Sequence, residues 1–171
     1  MGFEGGEGVT KKLPVTKVGR DAKEKRMERF GEEGPECVCF NIRKAARAIT
    51  QLYDDVFRPT GLRATQLSIL AVTNQVGPMT VTRLAQATVT DRTTLTRNLK
   101  LLAEHKLVRI TAGEDRRERE VTLTDRGRAA LARAYPLWKD VQSQVAQGLG
   151  PERFRRLLSD LRDAVALTRA S

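Results

Sequence analysis

Arg92, Thr93, Thr96, Arg97 and Asn98 bring guanidinium forks, short hydroxyls and a carboxamide into the opening turns of one stretch, Thr90–Leu107. These groups suit hydrogen bonding to base edges and phosphates. Arginine takes guanine through two parallel bonds, and threonine meets a phosphate oxygen or a thymine methyl. A second cluster follows in the run GEDRRERE, where Asp115, Arg116, Arg117 and Arg119 stand among charges of mixed sign. The plain alternatives are a solvated helix face and a merely soluble turn.

Other chemistries lack parts. His105 is the single histidine and Cys37 and Cys39 are the only cysteines, so a tetrahedral zinc set cannot be assembled within one chain. A nucleophile–histidine–carboxylate triad would have to use His105, which sits where a helix end needs its carbonyls capped. There is no Gly-rich phosphate loop and no nucleophile–base pair. No catalytic residue, metal or cofactor is expected, and the chain reads as a binding protein rather than an enzyme. Cys37 and Cys39, two apart in a helical pattern, point to different sides and disfavour a disulfide.

The charge balance points the same way. Lys and Arg number 31 against 21 Asp and Glu, a net +10, which favours an anionic partner, with nucleic acid ahead of a membrane surface. Residues 1–34 are rich in Gly, Glu and Lys and read as a flexible extension. Their eight Lys/Arg against seven Asp/Glu leave +9 on the remainder. No apolar run approaches the roughly 20 residues of a membrane span, and the start lacks a signal-peptide core, so a cytoplasmic protein is expected.

Several elements must position these residues. Leu95, Leu99 and Leu102 form one apolar stripe of a helix, with Thr90 expected as its N-cap and Asp91 at the positive end of its dipole. Thr80 caps a short helix carrying Val81, Leu84 and Ala85, and only Thr88–Thr90 separate the two, which describes a helix-turn-helix. Leu107–Thr111 and Arg119–Leu123 then alternate like the strands of a hairpin, a wing.

Around this centre lie longer helices. The first starts at Pro35 and repeats Val38, Ile42, Ala45, Ile49, Leu52 and Val56, widened by Tyr53 and Phe57. It is expected to be buried on three sides and to end at Arg58. A second runs from Ala64 to Val76 with Leu67, Leu70 and Val76 inward. A third is capped by Thr124 and runs to about Gly148, and a last one follows Gly150-Pro151 with Leu157, Leu161 and Val165 on one face. Together they carry more apolar surface than a small winged domain covers. Burial against a second copy is the economical explanation, and a self-contained helical hairpin is the alternative.

The stretches GLRATQLSIL, TVTRLAQATVTDRTTLTRNLKLLAEHKLVRI and DRRERE-VTLTDRG resemble the multiple-antibiotic-resistance regulator (MarR) family of winged-helix transcription factors. The resemblance covers about Cys37 to Ser171. It implies a mainly α fold: a flexible extension over 1–34, a helical dimerisation region over 35–62 plus 125–171, and a winged helix-turn-helix over 63–124. It also implies a homodimer on a pseudo-palindromic double-stranded operator, usually a repressor released by a small-molecule inducer. The recognition helix would present Arg92, Thr93, Thr96, Arg97 and Asn98. At the wing Arg117 would enter the minor groove, Asp115 would orient a neighbouring arginine, and Arg116 and Arg119 would hold phosphates.

For the inducer, the resemblance implies an aromatic or amphipathic ligand between the dimer helices and the winged lobe, against Phe40, Arg43, Arg47 and Tyr53. Cys39-Phe40 also resembles the reactive-cysteine position of the family's organic-hydroperoxide-sensing branch, and Tyr53 resembles a tyrosine that holds that thiolate. Arg43 departs from the branch, which usually has a second tyrosine there. A non-sequence-specific architectural DNA binder is the competing class and would show no half-site spacing preference.

Overall fold

The computed structural model describes Glu24, Lys25, Met27, Arg29, residues 36–113, Asp115 and residues 117–169. The chain divides into two units, residues 1–45 and 46–171, with the division falling inside the first long helix. The elements in order are α1 (Val38–Phe57), a 3₁₀ turn (Arg58–Thr60), α2 (Ala64–Val76), β1 (Met79–Thr80), α3 (Val81–Thr88), α4 (Arg92–Glu104), β2 (Val108–Ala112), β3 (Arg119–Leu123), α5 (Asp125–Leu149) and α6 (Pro151–Arg169). This is a mainly α winged helix-turn-helix. The expected N-terminal extension and Pro35 lie almost wholly outside the described residues.

The core of the larger unit grows from the apolar stripes. Leu95, Leu99 and Leu102 of α4 are 0–1% exposed and meet Leu84 of α3, Leu67 and Leu70 of α2, Phe57 of α1 and Val121 of β3. Each such side chain, fully buried, is worth about 1.5–3 kcal/mol. Among the described residues Thr73 is the buried polar one, and its hydroxyl is satisfied by donating to the Ile69 carbonyl at 2.8 Å.

The sheet is antiparallel in the order β1-β3-β2. Val108 pairs with Leu123 and Ala112 with Arg119, which closes the wing, and Met79 pairs with Val121 on the other edge. Thr124 ends the sheet and starts α5: its Oγ1 donates to the Lys106 carbonyl at 2.7 Å and accepts from the Gly127 N–H at 3.0 Å. A Cβ on Gly127 would stand 2.1 Å from the Leu107 carbonyl oxygen, so only glycine lets α5 approach the wing's base this closely.

Four expectations are corrected. The N-cap of α4 is Asp91, not Thr90: Asp91 Oδ1 accepts the Thr94 N–H at 2.8 Å. Thr90 is spent closing α3, its N–H on the Ala85 carbonyl at 3.0 Å and its hydroxyl on the Thr88 carbonyl at 3.1 Å. α1 is not buried on three sides, since Val38, Phe40, Ile42, Ile49 and Leu52 are exposed and Phe57 alone is buried. Its apolar stripe is left exposed among the described residues. Val76, expected inward, is 54% exposed, because it is the last residue of α2 and Gly77 turns the chain away. The α-helical part of α1 stops at Phe57, and Arg58–Thr60 tighten into the 3₁₀ turn, ended by Gly61 in the left-handed region at φ 72°.

Candidate nucleic-acid interface

The three leucines of α4 fix which side of that helix faces out. Opposite them, Thr93 and Arg97 share the outermost line and both are exposed. One flank carries Arg92, Thr96 and Lys100 at i, i+4, i+8, and the other carries Asn98. Asn98 is partly buried and donates from Nδ2 to the Thr94 carbonyl at 3.0 Å, so its carboxamide is committed to its own helix. Thr96 similarly donates to the Arg92 carbonyl at 2.7 Å.

The flank bearing Arg92 turns toward the wing. Arg92, Thr96 and Lys100 line a concavity of about 580 Å³ together with Arg117 and Arg119, and with Thr80 and Thr82 at the start of α3. The structure therefore brings together Arg92, Thr96, Arg117 and Arg119, residues on separate elements. Thr93, Arg97 and Asn98 do not line this concavity. Arg116 lies outside the described residues. Lys100, which the sequence places on the same polar face of α4, lines the concavity too, as do Thr80 and Thr82, although none of the three is among the expected DNA contacts. Lys100 is held only loosely, 4.0 Å from Glu104 with 78% of its side chain exposed.

The geometry of the tip is set by Asp115. Its Oδ1 accepts the backbone N–H of Arg117 at 2.9 Å, while its carbonyl accepts the Glu118 N–H at 2.8 Å and Gly113 N–H reaches the Glu118 carbonyl at 3.0 Å. The carboxylate thus shapes the turn's backbone, and the Arg117 side chain is exposed. At the other end of the face, hydrogen bonds from Thr94 hold the Asp91 carboxyl below the usual carboxylate range, so the cap is charged at neutral pH.

A different concavity, of about 330 Å³, lies between α1, α2 and α5. Tyr53 and Phe57 meet edge-to-face at 5.9 Å on one side, and Tyr135 and Trp138 stack at 5.9 Å on another, with Leu67 and Ser68 between. No charged side chain lines it. Tyr53 Oη donates to Gln142 Oε1 across the α1–α5 junction, and burial pushes the phenol pKa up. Of the expected ligand residues only Tyr53 is here. Arg47 borders another hollow, with Asp54, Asp55 and Arg63. Cys39, Phe40 and Arg43 fall in the unit 1–45 and are exposed, and both cysteines are free. His105 is the C-cap of α4, its N–H bonded to the Leu101 carbonyl at 3.1 Å. Among the described residues no helix is long and apolar enough to cross a membrane.

A family model described as the MarR family matches residues 60–118. The chain is 35% identical over 83 residues to YwoH, an uncharacterized HTH-type transcriptional regulator of Bacillus subtilis. That alignment covers 48% of this chain and 61% of the relative, so the chain spans about three-fifths of that protein. Among solved structures it is similar to the M. tuberculosis transcriptional regulator MosR, determined in complex with DNA. The identity is 44%, the TM-score 0.68, and the match covers 78% of this chain and 98% of that one. It is also similar to the transcriptional repressor CouR bound to a 23-mer DNA duplex, with 26% identity, a TM-score of 0.71, and 78% and 95% of the two chains covered.

Proposed function

This chain belongs to the MarR family of transcriptional regulators, and on that premise we propose that it is a sequence-specific repressor that binds a pseudo-palindromic operator as a homodimer in the cytoplasm. The observation that carries the reading is the concavity in which Arg92, Thr96 and Lys100 of α4 meet Arg117 and Arg119 of the wing, basic side chains outnumbering the acidic Glu104 and Glu118 there. In this reading Thr93 and Arg97 enter the major groove. Arg97 takes a guanine, a contact worth about 1–3 kcal/mol of discrimination. Arg117 enters the adjacent minor groove, where narrow A·T stretches concentrate negative potential. Arg92, Lys100 and Arg119, with Arg116, take phosphates, which position the protein without reading sequence.

Dimerisation belongs to residues 35–62 and 125–171, and DNA binding to 63–124. Ile49 and Leu52 on α1 and Leu157, Leu161 and Val165 on α6 are 39–45% exposed in the single chain, and a second copy would cover them. The inducer is a small aromatic molecule seated among Tyr53, Phe57, Tyr135 and Trp138. With no charged side chain in that lining, an uncharged ligand is preferred over a carboxylate there, because a buried unpaired charge is costly.

Selection of bound sequences from random duplex at physiological salt tests the reading. An inverted repeat with half-sites about one helical turn apart, roughly 10 base pairs, is expected. A sequence-blind profile would move the function to architectural binding.

A second reading is favoured by one observation: Cys39 is a free, exposed thiol in the first turn of α1. There, peroxide oxidation of Cys39 releases the operator. Thiol titration alongside operator release decides: an unchanged peroxide response in Cys39→Ser rules it out.

A further inference from the structure

The concavity between α4 and the wing holds one lysine among three arginines. Lys100 lines it with Arg92, Arg117 and Arg119, and Glu104 and Glu118 are the carboxylates there. None of the three arginines enters an ion pair among the described residues, so their guanidinium forks are open to a small anion. Lys100 Nζ stands 4.0 Å from Glu104 Oε1, with 78% of the lysine side chain exposed. A primary amine, a carboxylate beside it and arginines able to hold a phosphate are the parts of one reaction. That reaction is acyl transfer from an acyl phosphate to nitrogen.

We propose that Lys100 is an acylation site whose donors are small acyl phosphates, acetyl phosphate the simplest of them. The arginines hold the donor's phosphate through paired N–H···O bonds, which their planar forks suit. The concavity, about 580 Å³, leaves room for the acyl group beside Lys100. The Lys100 ammonium gives one proton to Glu104 across a gap that one water spans, and Glu104 passes it to solvent. The freed lone pair attacks the acyl carbon and forms the N–C bond. The C–O bond to the phosphate breaks, and inorganic phosphate leaves with that electron pair and the nitrogen's second proton. Nothing is oxidised or reduced, the product is a neutral amide, and the face loses one cation. On the DNA-binding reading, on which this consequence alone rests, the acylated protein makes one phosphate contact fewer. The salt dependence of its operator binding then flattens by about 0.9 in log–log slope.

The test uses the full-length protein without DNA, so that a failure of the operator reading leaves its result intact. The protein is incubated with acetyl phosphate, and acetylation of each lysine is timed by peptide mass spectrometry. Lys100 should react about tenfold or more faster than Lys106 and Lys139, which are equally open to solvent, because a cationic cleft concentrates its counter-ion. Its rate should saturate with acetyl phosphate and fall when inorganic phosphate is added at constant ionic strength. Arg117→Gln/Arg119→Gln should slow Lys100 about fivefold or more and leave Lys139 unaltered. Its circular dichroism spectrum should be unchanged, since both arginines are exposed. Acetic anhydride, an acetyl donor without a phosphate, should show no preference for Lys100. Equal rates at Lys100 and Lys139, an unchanged Lys100 rate in the double variant, or the same preference toward acetic anhydride would each overturn the assignment.

Discussion

Asp115 accepts the backbone N–H of Arg117 at 2.9 Å, two residues along the wing tip. The carboxylate therefore orders the turn from which the Arg117 side chain projects, in the manner of an Asx turn. An asparagine carbonyl accepts the same hydrogen bond. Asp115→Asn should retain operator affinity, helped by the removal of one negative charge from a DNA-facing loop. Asp115→Ala should bind about fivefold more weakly than Asp115→Asn, a ratio near 1 kcal/mol and the size of one net hydrogen bond. Fluorescence anisotropy on a labelled operator at one salt concentration measures both, and the opposite order would show that the carboxylate acts in some other way.

Val89, in the turn between α3 and α4, holds φ 49° and ψ 44°, the left-handed region that β-branched residues avoid. Its side chain is 63% exposed and gains little packing for that strain. Val89→Gly should raise stability by about 1 kcal/mol, the cost that an L side chain carries in this region. Urea denaturation reads the change, and a destabilised variant would mean that Val89 contributes contacts this conformation conceals.

The exposed stripes of α1 and α6 carry the dimer proposal. Leu161→Glu places a charge on the face that Leu157 and Val165 share, where it would be desolvated in an interface. Sedimentation equilibrium should show wild type as a dimer and Leu161→Glu shifted to monomer at micromolar concentration, with helix content retained because Leu161 is not in the core of the single chain. A dimer of unchanged strength would remove α6 from the interface.

The parts of this molecule legible in its sequence are those where periodicity and burial coincide. Leu95, Leu99 and Leu102 recur at helical spacing and are the most buried side chains of α4, so both the helix and its outward face could be read. Thr80 and Thr124 could be read as caps because each precedes an apolar run, and each does accept the N–H three residues on. The N-cap of α4 was misplaced by one residue, since Thr90 and Asp91 are both good caps and only the closure of α3 decides between them. β1 was missed because two residues, Met79 and Thr80, are too few to alternate. Nothing in local pattern could say that Arg47 would turn toward Asp54 and Arg63 rather than toward Tyr53, or that Lys100 would meet the wing. Such placements depend on how helices pack, which spacing along the chain does not encode.

The central claim is that the exposed line of α4 and the tip of the wing read duplex DNA together. The direct measurement is the affinity of Arg97→Ala, Arg117→Ala and the double variant for the selected operator, in salt-matched gel shifts with the oligomeric state checked by light scattering. Each single variant should lose tenfold or more, with Arg97→Ala also relaxing base preference at one position of each half-site. Wild-type affinity in both single variants, with the dimer intact, would contradict the claim and place the operator contacts elsewhere on the chain.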